Sequence, residues 1–380
     1  MTAPSPKAAS SKLLYLVTEA GYFFSHRYPL AKAAQQQGYE VIVATVPGGY
    51  QQRLEAEGFT AYPLKHMTRA GLNPFKQLLS LFEIYTLYRK EKPDVVHHVA
   101  MKPVLYGSIA ARLAGIKKAV NALTGLGYLF ISPHFKARFL RFWVWRGFHV
   151  LFQKRGWVLI LQNKDDFNLF SQIVPTKNLA LIRGSGVDID HFAPLEKKVS
   201  NKKLRITLVA RMLWDKGIGE AIEATKLLKE KGLDFELVLA GGIDAQNPSG
   251  ISRSVIGKWE QQGFCTWLGN VENIADLYQK SDIALLPSYR EGLPKSLLEA
   301  AACGLPIITT DVPGCREVVV PHKTGFLVPL KSVEPLAEAM EKLLTQPSVR
   351  RKMGIGGRCL AISSFSEPLI IAETLDLYKS

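Results

Sequence analysis

Cysteine is scarce in this chain: Cys265, Cys303, Cys315 and Cys359 are the only four in 380 residues, and none forms a C-x-x-C pair. That spacing argues against both a disulfide scaffold and a structural zinc site, and reduced thiols are expected. The eight histidines contain no H-E-x-x-H pattern. No uncharged apolar run reaches the ~18–20 residues that a spanning helix needs. The opening MTAPSPKAASSK is polar and has no apolar core of a signal peptide, so the expectation is a soluble or peripheral protein. Nor does the first strand lead into G-x-G-x-x-G, which counts against a dinucleotide-dependent dehydrogenase.

What is present is ordinary globular composition, 47% hydrophobic and 21% charged, which excludes a disordered or fibrous chain. The length suits two domains, each able to bury its own core. Acidic residues are unevenly distributed. Residues 1–185 carry 24 Lys and Arg against 9 Asp and Glu, whereas residues 186–380 carry 24 of each. The whole net charge of +15 therefore belongs to the first half. The asymmetry points to a polyanionic partner for that half, nucleic acid, an anionic membrane surface or a phosphorylated substrate; a general solubility device is the bland alternative.

Apolar runs alternate with helical patterns. Strands are expected at 12–17, 41–44, 59–63, 94–98, 119–122 and 158–161, with helices at about 27–37, 75–91 and 104–114; residues 18–26 read as a loop. The rhythm restarts with strands at 204–209, 235–240, 265–268, 282–286 and 306–309. Helices are expected there at 217–231, 250–262, 295–303, 333–345 and 347–361. Continuous rather than alternating apolar strands indicate parallel sheets covered on both faces. The stretch 190–203, with Pro194, Lys197, Lys198, Lys202 and Lys203, has linker composition. The fold class is α/β, with two Rossmann-like doubly wound domains facing a central cleft. The boundaries are 1–185, 186–362 and a last segment, 363–380, whose helix returns to the first domain. Ligands of such sheets sit at the carboxyl ends of the strands.

Three strand-end segments carry chemistry. Thr18 to His26 opens a helix whose first N–H groups can face an anion, with Gly21 the one glycine there; the bland alternative is a plain connecting loop. Arg211 and Lys216 follow the first strand of the second half. Arg holds phosphate oxygens bidentately and Lys adds a point charge, so the pair can clamp a diphosphate; a surface charge pair is the alternative. Glu291 and Glu299 flank Gly292-Leu293-Pro294-Lys295 and stand eight residues apart, one in a loop and one in the helix that follows. A carboxylate such as Glu299 is suited to ribose hydroxyls, and the helix start aims N–H groups at whatever binds above it.

The E-x7-E pattern, the Arg211/Lys216 pair and Gly184-Ser185-Gly186-Val187-Asp188 together resemble glycosyltransferase family 4, retaining enzymes of the two-Rossmann GT-B fold. Ala301-Ala302-Cys303-Gly304-Leu305-Pro306 and Val312-Pro313-Gly314-Cys315-Arg316-Glu317 resemble stretches of its donor domain. Phe24-Ser25-His26-Arg27, the segment His97 to Pro103 and Thr124-Gly125-Leu126-Gly127-Tyr128 are similar to a bacterial branch that builds capsule, O-antigen and lipid-linked glycans. The resemblance implies a nucleotide-sugar donor, a UDP-sugar with a hexose or N-acetylhexosamine. It also implies a polyprenyl-diphosphate-linked acceptor, and Arg211, Lys216 and Glu291 as catalytic residues. The donor would lie against Gly21, Gly186, Arg211, Lys216, Gly292, Leu293, Pro294, Lys295 and Glu299. No metal or other cofactor is expected, and no Asp-x-Asp occupies a suitable loop. His26, His97, His98, Lys102 and Thr124 are candidate acceptor or sugar contacts. Where many members have a first-domain histidine near the donor sugar, this chain reads Asn121-Ala122-Leu123-Thr124. His97 or His98 is then either a substitute or a histidine packed beneath the cleft.

From 134 to 157, basic residues interleave with aromatics. Arg138, Arg141, Phe142, Trp143, Trp145 and Arg146 suit a helix in the interface of an anionic membrane; an ordinary buried helix with a charged edge is the alternative. Stacking on nucleic acid uses the same residue types, and is set aside because the rest of the chain reads as a nucleotide-sugar enzyme. The expected location is peripheral, on the cytoplasmic face of a bacterial plasma membrane. Two rival functions remain, a UDP-sugar 2-epimerase of the same fold and a noncatalytic nucleotide-sugar or lipid-binding module.

Overall fold

In a computed structural model, residues 11–68, 73–126, 135–195, 203–245 and 247–379 are described, without the side chains of 135–137 and 140. Parts of the linker (196–202) and of the motif at Gly127-Tyr128 lie outside the described residues. The chain divides into two units, one of 1–185 with 370–380 and one of 186–369.

The first unit is built on β1 (Lys12–Glu19), β2 (Glu40–Val46), β3 (Thr60–Pro63), β4 (Val95–Val99), β5 (Lys118–Ala122), β6 (Trp157–Leu161) and β7 (Leu179–Leu181). All pair in parallel, in the order β3-β2-β1-β4-β5-β6-β7. Along β1, Leu13, Tyr15 and Val17 enter one core and Leu14 and Leu16 the other. Burial on both faces explains the unbroken apolar run. Each such side chain contributes about 1.5–3 kcal/mol by leaving water.

The second unit repeats the plan with β8 (Leu204–Val209), β9 (Phe235–Ala240), β10 (Thr266–Trp267), β11 (Ile283–Leu286), β12 (Ile307–Thr310) and β13 (Gly325–Val328). Their order is β10-β9-β8-β11-β12-β13. Ile283 and Leu285 face one core, Ala284 and Leu286 the other. In both units the strand order reverses beside the first strand, between β1 and β4 and between β8 and β11. Loops diverge there and leave a crevice at the strand ends.

Local chemistry sets the helix ends. Asn73 Oδ1 accepts from the N–H groups of Phe75 and Lys76, and Pro74 takes the first position of the helix Pro74–Glu91. Among the described residues no helix is long and apolar enough to cross a membrane.

Three expectations need correction. Residues 18–26 are not a loop: β1 runs on to Glu19 and a helix, Ala20–His26, follows at once. The short strands β7 and β13 were not foreseen. Both have three or four residues, too few for a period to show.

Candidate active site

Four of the residues singled out above follow β8 and β11 of the second unit. Arg211 and Lys216 lie on the segment after β8, Glu291 on the segment after β11, and Glu299 in the helix Lys295–Ala302 that follows. Two ties hold the segments together. Tyr289 N donates to Asp215 O at 2.8 Å, and Ser288 Oγ donates to the same carbonyl at 3.2 Å. Gly217, at φ +70°, ends the short turn Trp214–Lys216, and a Cβ there would meet Pro287 O at 2.0 Å. Only glycine allows that approach.

The two cations are both engaged. Lys216 Nζ donates to Glu291 Oε1 at 2.5 Å, with the side chains 20% and 13% exposed. Arg211 Nη1 donates to Asp244 Oδ2 at 2.5 Å. Sequence reasoning had Lys216 and Glu291 in one site but missed Asp244; a Gly241-Gly242 pair directly after β9, the neighbour of β8, was the available signal.

Glu299 is half-buried, and burial pushes its carboxyl up to about 7; Lys295 pulls it down and Glu367 pushes it further up. A carboxylate so placed ionises near neutrality, and its ionised form is the stronger acceptor of hydrogen bonds from hydroxyls. Gly292, Leu293 and Pro294 are buried, so what they can offer to a ligand is main chain. Gly186 has a packing reason of its own: at φ +77° its Cβ would meet Glu367 Cα at 2.7 Å.

The crevice of the first unit is a pocket of about 250 Å³ lined by Thr18, Glu19, Tyr22, Ala100, Met101 and Lys102, among others. Lys102 Nζ donates to Thr68 O at 3.0 Å. His26 stacks on Tyr22 with ring centroids 4.0 Å apart, and Thr124 hydrogen-bonds the Tyr22 hydroxyl. A Cβ at Gly21 would be 3.6 Å from the Tyr50 hydroxyl, an ordinary contact, so no protein atom requires glycine there.

His97 and His98 are corrected from candidate sugar contacts to core residues. Both are fully buried. His97 Nδ1 lies 2.5 Å from the Tyr378 hydroxyl, which lies 2.9 Å from that of Tyr15. His98 bridges Asn121 Oδ1 at 2.6 Å and the Tyr88 hydroxyl at 2.9 Å. Burial lowers both imidazoles, His98 to about 4. The alternating direction of side chains along β4 sends one ring to each face of the sheet, and neither reaches the strand's carboxyl end.

On the helix Phe135–Leu151, Phe139, Phe142 and Trp143 are 59%, 56% and 57% exposed, and Arg138 and Arg146 are exposed with them. Arg141 is half-buried. Trp145 departs from the expected membrane face: it is half-buried and its ring packs on Phe170 at 5.0 Å. Among the described residues no three His, Cys, Asp or Glu side chains are grouped to hold a metal ion.

Two family models match the chain, one described as glycosyl transferase 4-like over residues 12–153 and one as glycosyl transferases group 1 over residues 193–359. A Campylobacter jejuni N,N'-diacetylbacillosaminyl-diphospho-undecaprenol alpha-1,3-N-acetylgalactosaminyltransferase is 30% identical over 375 residues, covering 95% of this chain and 97% of that one. An Escherichia coli UDP-Gal:alpha-D-GlcNAc-diphosphoundecaprenol alpha-1,3-galactosyltransferase is 28% identical, covering 81% of each. Among solved structures, a Rickettsia africae glycosyltransferase superimposes with a TM-score of 0.78 at 22% identity, over 98% of both chains. Anabaena HepE in complex with UDP and glucose does so at 0.77 and 18% identity, over 96% of this chain and 99% of that one. The chain belongs to glycosyltransferase family 4, with the two-domain α/β architecture of GT-B enzymes and its likeness to the bacterial branch that acts in envelope and capsule polysaccharide synthesis.

Proposed function

We propose that this glycosyltransferase moves a hexose or N-acetylhexosamine from a UDP-sugar to a polyprenyl-diphosphate-linked sugar, with retention at the anomeric carbon and without a metal ion. The observation that supports the reading is the ion pair of Lys216 with Glu291, which joins the segment after β8, where Arg211 also lies, to the segment after β11 that leads into the helix of Glu299. Arg211 and Lys216 would bind the diphosphate. Their charge opposes the negative charge that grows on the leaving phosphate as the glycosidic bond breaks, so they stabilise the transition state more than the ground state. Glu299 would accept from the ribose hydroxyls. Glu291 would meet the donor sugar, and the main-chain N–H groups of Gly292, Leu293 and Lys295 its hydroxyls or the phosphates. In a same-face mechanism the departing phosphate takes the acceptor proton, so no dedicated base is required. His26, Lys102 and Thr124, in and beside the pocket of the first unit, would meet the acceptor.

The test is UDP release from a panel of UDP-sugars, with and without a polyprenyl-diphosphate-sugar fraction. One donor, strongly dependent on acceptor, is the expected result. Release indifferent to acceptor would instead mark a hydrolysing epimerase, and silence across the panel a binding protein. The same assay run from pH 6 to 8 should show the donor KM rising as pH falls below about 7. Protonation removes the charge of Glu299 and weakens, without abolishing, its acceptance from the ribose hydroxyls, so a rise of about two- to fivefold at pH 6 is expected; a flat profile in the wild type would remove Glu299 from the ribose.

A lipid-linked acceptor requires a membrane surface, and the helix Phe135–Leu151 supports peripheral docking at the inner face of the plasma membrane. It contains no Asp or Glu and exposes aromatics beside Arg138 and Arg146. Arg138→Glu combined with Phe142→Glu should lower sedimentation with anionic vesicles by about tenfold or more, since each cation near such a surface contributes about 1 kcal/mol. Unchanged binding would mean that the helix is not the anchor. No nucleic-acid partner is proposed.

A further inference from the structure

Both cations after β8 are held by carboxylates of their own unit, and one of those carboxylates has no part in the reading above. Asp244 accepts from Arg211 Nη1, with the Asp244 side chain 11% exposed and that of Arg211 48% exposed. The acid is seated and the cation reaches outward from it. The seat is made by main chain. Met212 N donates to Gly242 O, Trp214 N to Ser249 O and Ile251 N to Met212 O, all at 2.8–2.9 Å. Met212 also bridges to Ile243, and Leu213 to Gly250. Asn247 Oδ1 accepts from Ser249 N at 3.0 Å and closes the turn. Backbone register, rather than the choice of one exposed rotamer, thus sets Asp244 opposite Arg211.

We infer that Asp244 limits how tightly the site holds a nucleoside diphosphate group, by sharing Arg211 with it. The inference rests on the reading that Arg211 contacts the donor diphosphate. A guanidinium has five donor hydrogens. With Nη1 turned to Asp244, Nη2 and Nε remain to face phosphate oxygens, so Arg211 need not leave its partner to bind. The carboxylate then stands one guanidinium width from a group of like charge. Across ~6 Å in a half-exposed site such repulsion is worth about tenfold in affinity. Donor and nucleotide product carry the same diphosphate, so the effect falls on both. Its use is release of the spent nucleotide, which a site with Arg211 uncompensated would hold longer.

Asp244→Asn keeps the shape and a hydrogen bond to Arg211 while removing the charge; Asp244→Ala removes both. Calorimetric titration with UDP, and with inorganic pyrophosphate to remove any contribution of the base, reads the result directly. Both variants should bind UDP and pyrophosphate about tenfold more tightly than wild type, with the donor KM lowered and kcat not raised. Tighter binding after loss of a contact is an outcome that a scaffolding role cannot produce. Equal or weaker binding in both variants, with an unchanged melting curve, would overturn the inference and make Asp244 a support for Arg211. Arg211→Ala separates the two levels: it should weaken both ligands by about tenfold or more. If it changes neither, Arg211 does not hold the diphosphate, and the assignment of Arg211 fails first.

Discussion

Lys216→Ala should lower kcat and kcat/KM for glycosyl transfer together, by about 10²–10³-fold, comparable to the loss of one preorganised donor from an oxyanion hole. The parallel fall is expected because the ammonium acts most strongly on charge that exists only once the sugar begins to leave. Lys216 is positioned for this by its neighbours. It closes the turn Trp214–Lys216, and Asp215 O in that turn is fixed by Ser288 and Tyr289 of the facing segment. The substitution also strands Glu291, which is 13% exposed and loses its ion-pair partner. For that reason Glu291→Gln and Lys216→Ala/Glu291→Gln are measured beside it. If the single Lys216 variant is inactive only because a carboxylate is unpaired, the double variant regains the activity of Glu291→Gln. If the ammonium itself acts on the leaving group, the double variant stays slower than Glu291→Gln by the same factor. Turnover within threefold of wild type in the single variant would remove Lys216 from the reaction.

The second large effect is on stability, far along the chain from the site. Tyr378→Ala should destabilise the first unit by about 4 kcal/mol, the usual cost of emptying a buried aromatic site. Tyr378 is 2% exposed and its hydroxyl lies between His97 and Tyr15. Ile370 and Leu375 of the same helix enter the core that holds Tyr15, and Lys118 Nζ donates to Tyr378 O at 2.9 Å. At about 2–4 °C per kcal/mol for a unit of this size, the melting temperature should fall by about 10 °C. Tyr378→Phe keeps the ring and removes the hydroxyl. It should cost about 1–3 kcal/mol, because two buried polar groups lose a partner. A melting temperature for Tyr378→Ala within about 2 °C of wild type would show that the helix end does not pack there. These values concern folding alone, so UDP affinity of the second unit, measured below the transition, should not change.

Much of the architecture was legible in the sequence because it is local. A run such as Leu13 to Val17 is apolar at every position since both faces of β1 are covered, and that pattern needs no knowledge of the partners. The helix starting at Lys295 was legible from Gly292-Leu293-Pro294, and its placement after β11 follows from the strand alternation. Arg211, Lys216 and Glu291 stood out for the same reason: each lies on the segment beyond the carboxyl end of a strand, where a doubly wound sheet exposes side chains and main-chain N–H groups, and Glu299 follows in the helix after β11.

What the linear chain left open are pairings across long separations. His97 and His98 look alike in sequence, two imidazoles before a helix. Only the pleat and the pairing of β4 with β1 and β5 send one ring to Tyr378, 281 residues away, and the other to Asn121. Trp143 and Trp145 are two residues apart on one helix, yet the first is exposed and the second lies on Phe170, because 200° of helical rotation separates them. Asp244 is 33 residues from Arg211, and the Gly241-Gly242 pair before it marks a strand-end loop without naming its partner. The sequence by itself determined the two α/β units, their parallel sheets and the strand-end segments that hold the candidate site residues. The tertiary structure alone decided which polar groups face each other, since that depends on strand order and register, which bring distant residues within hydrogen-bond distance.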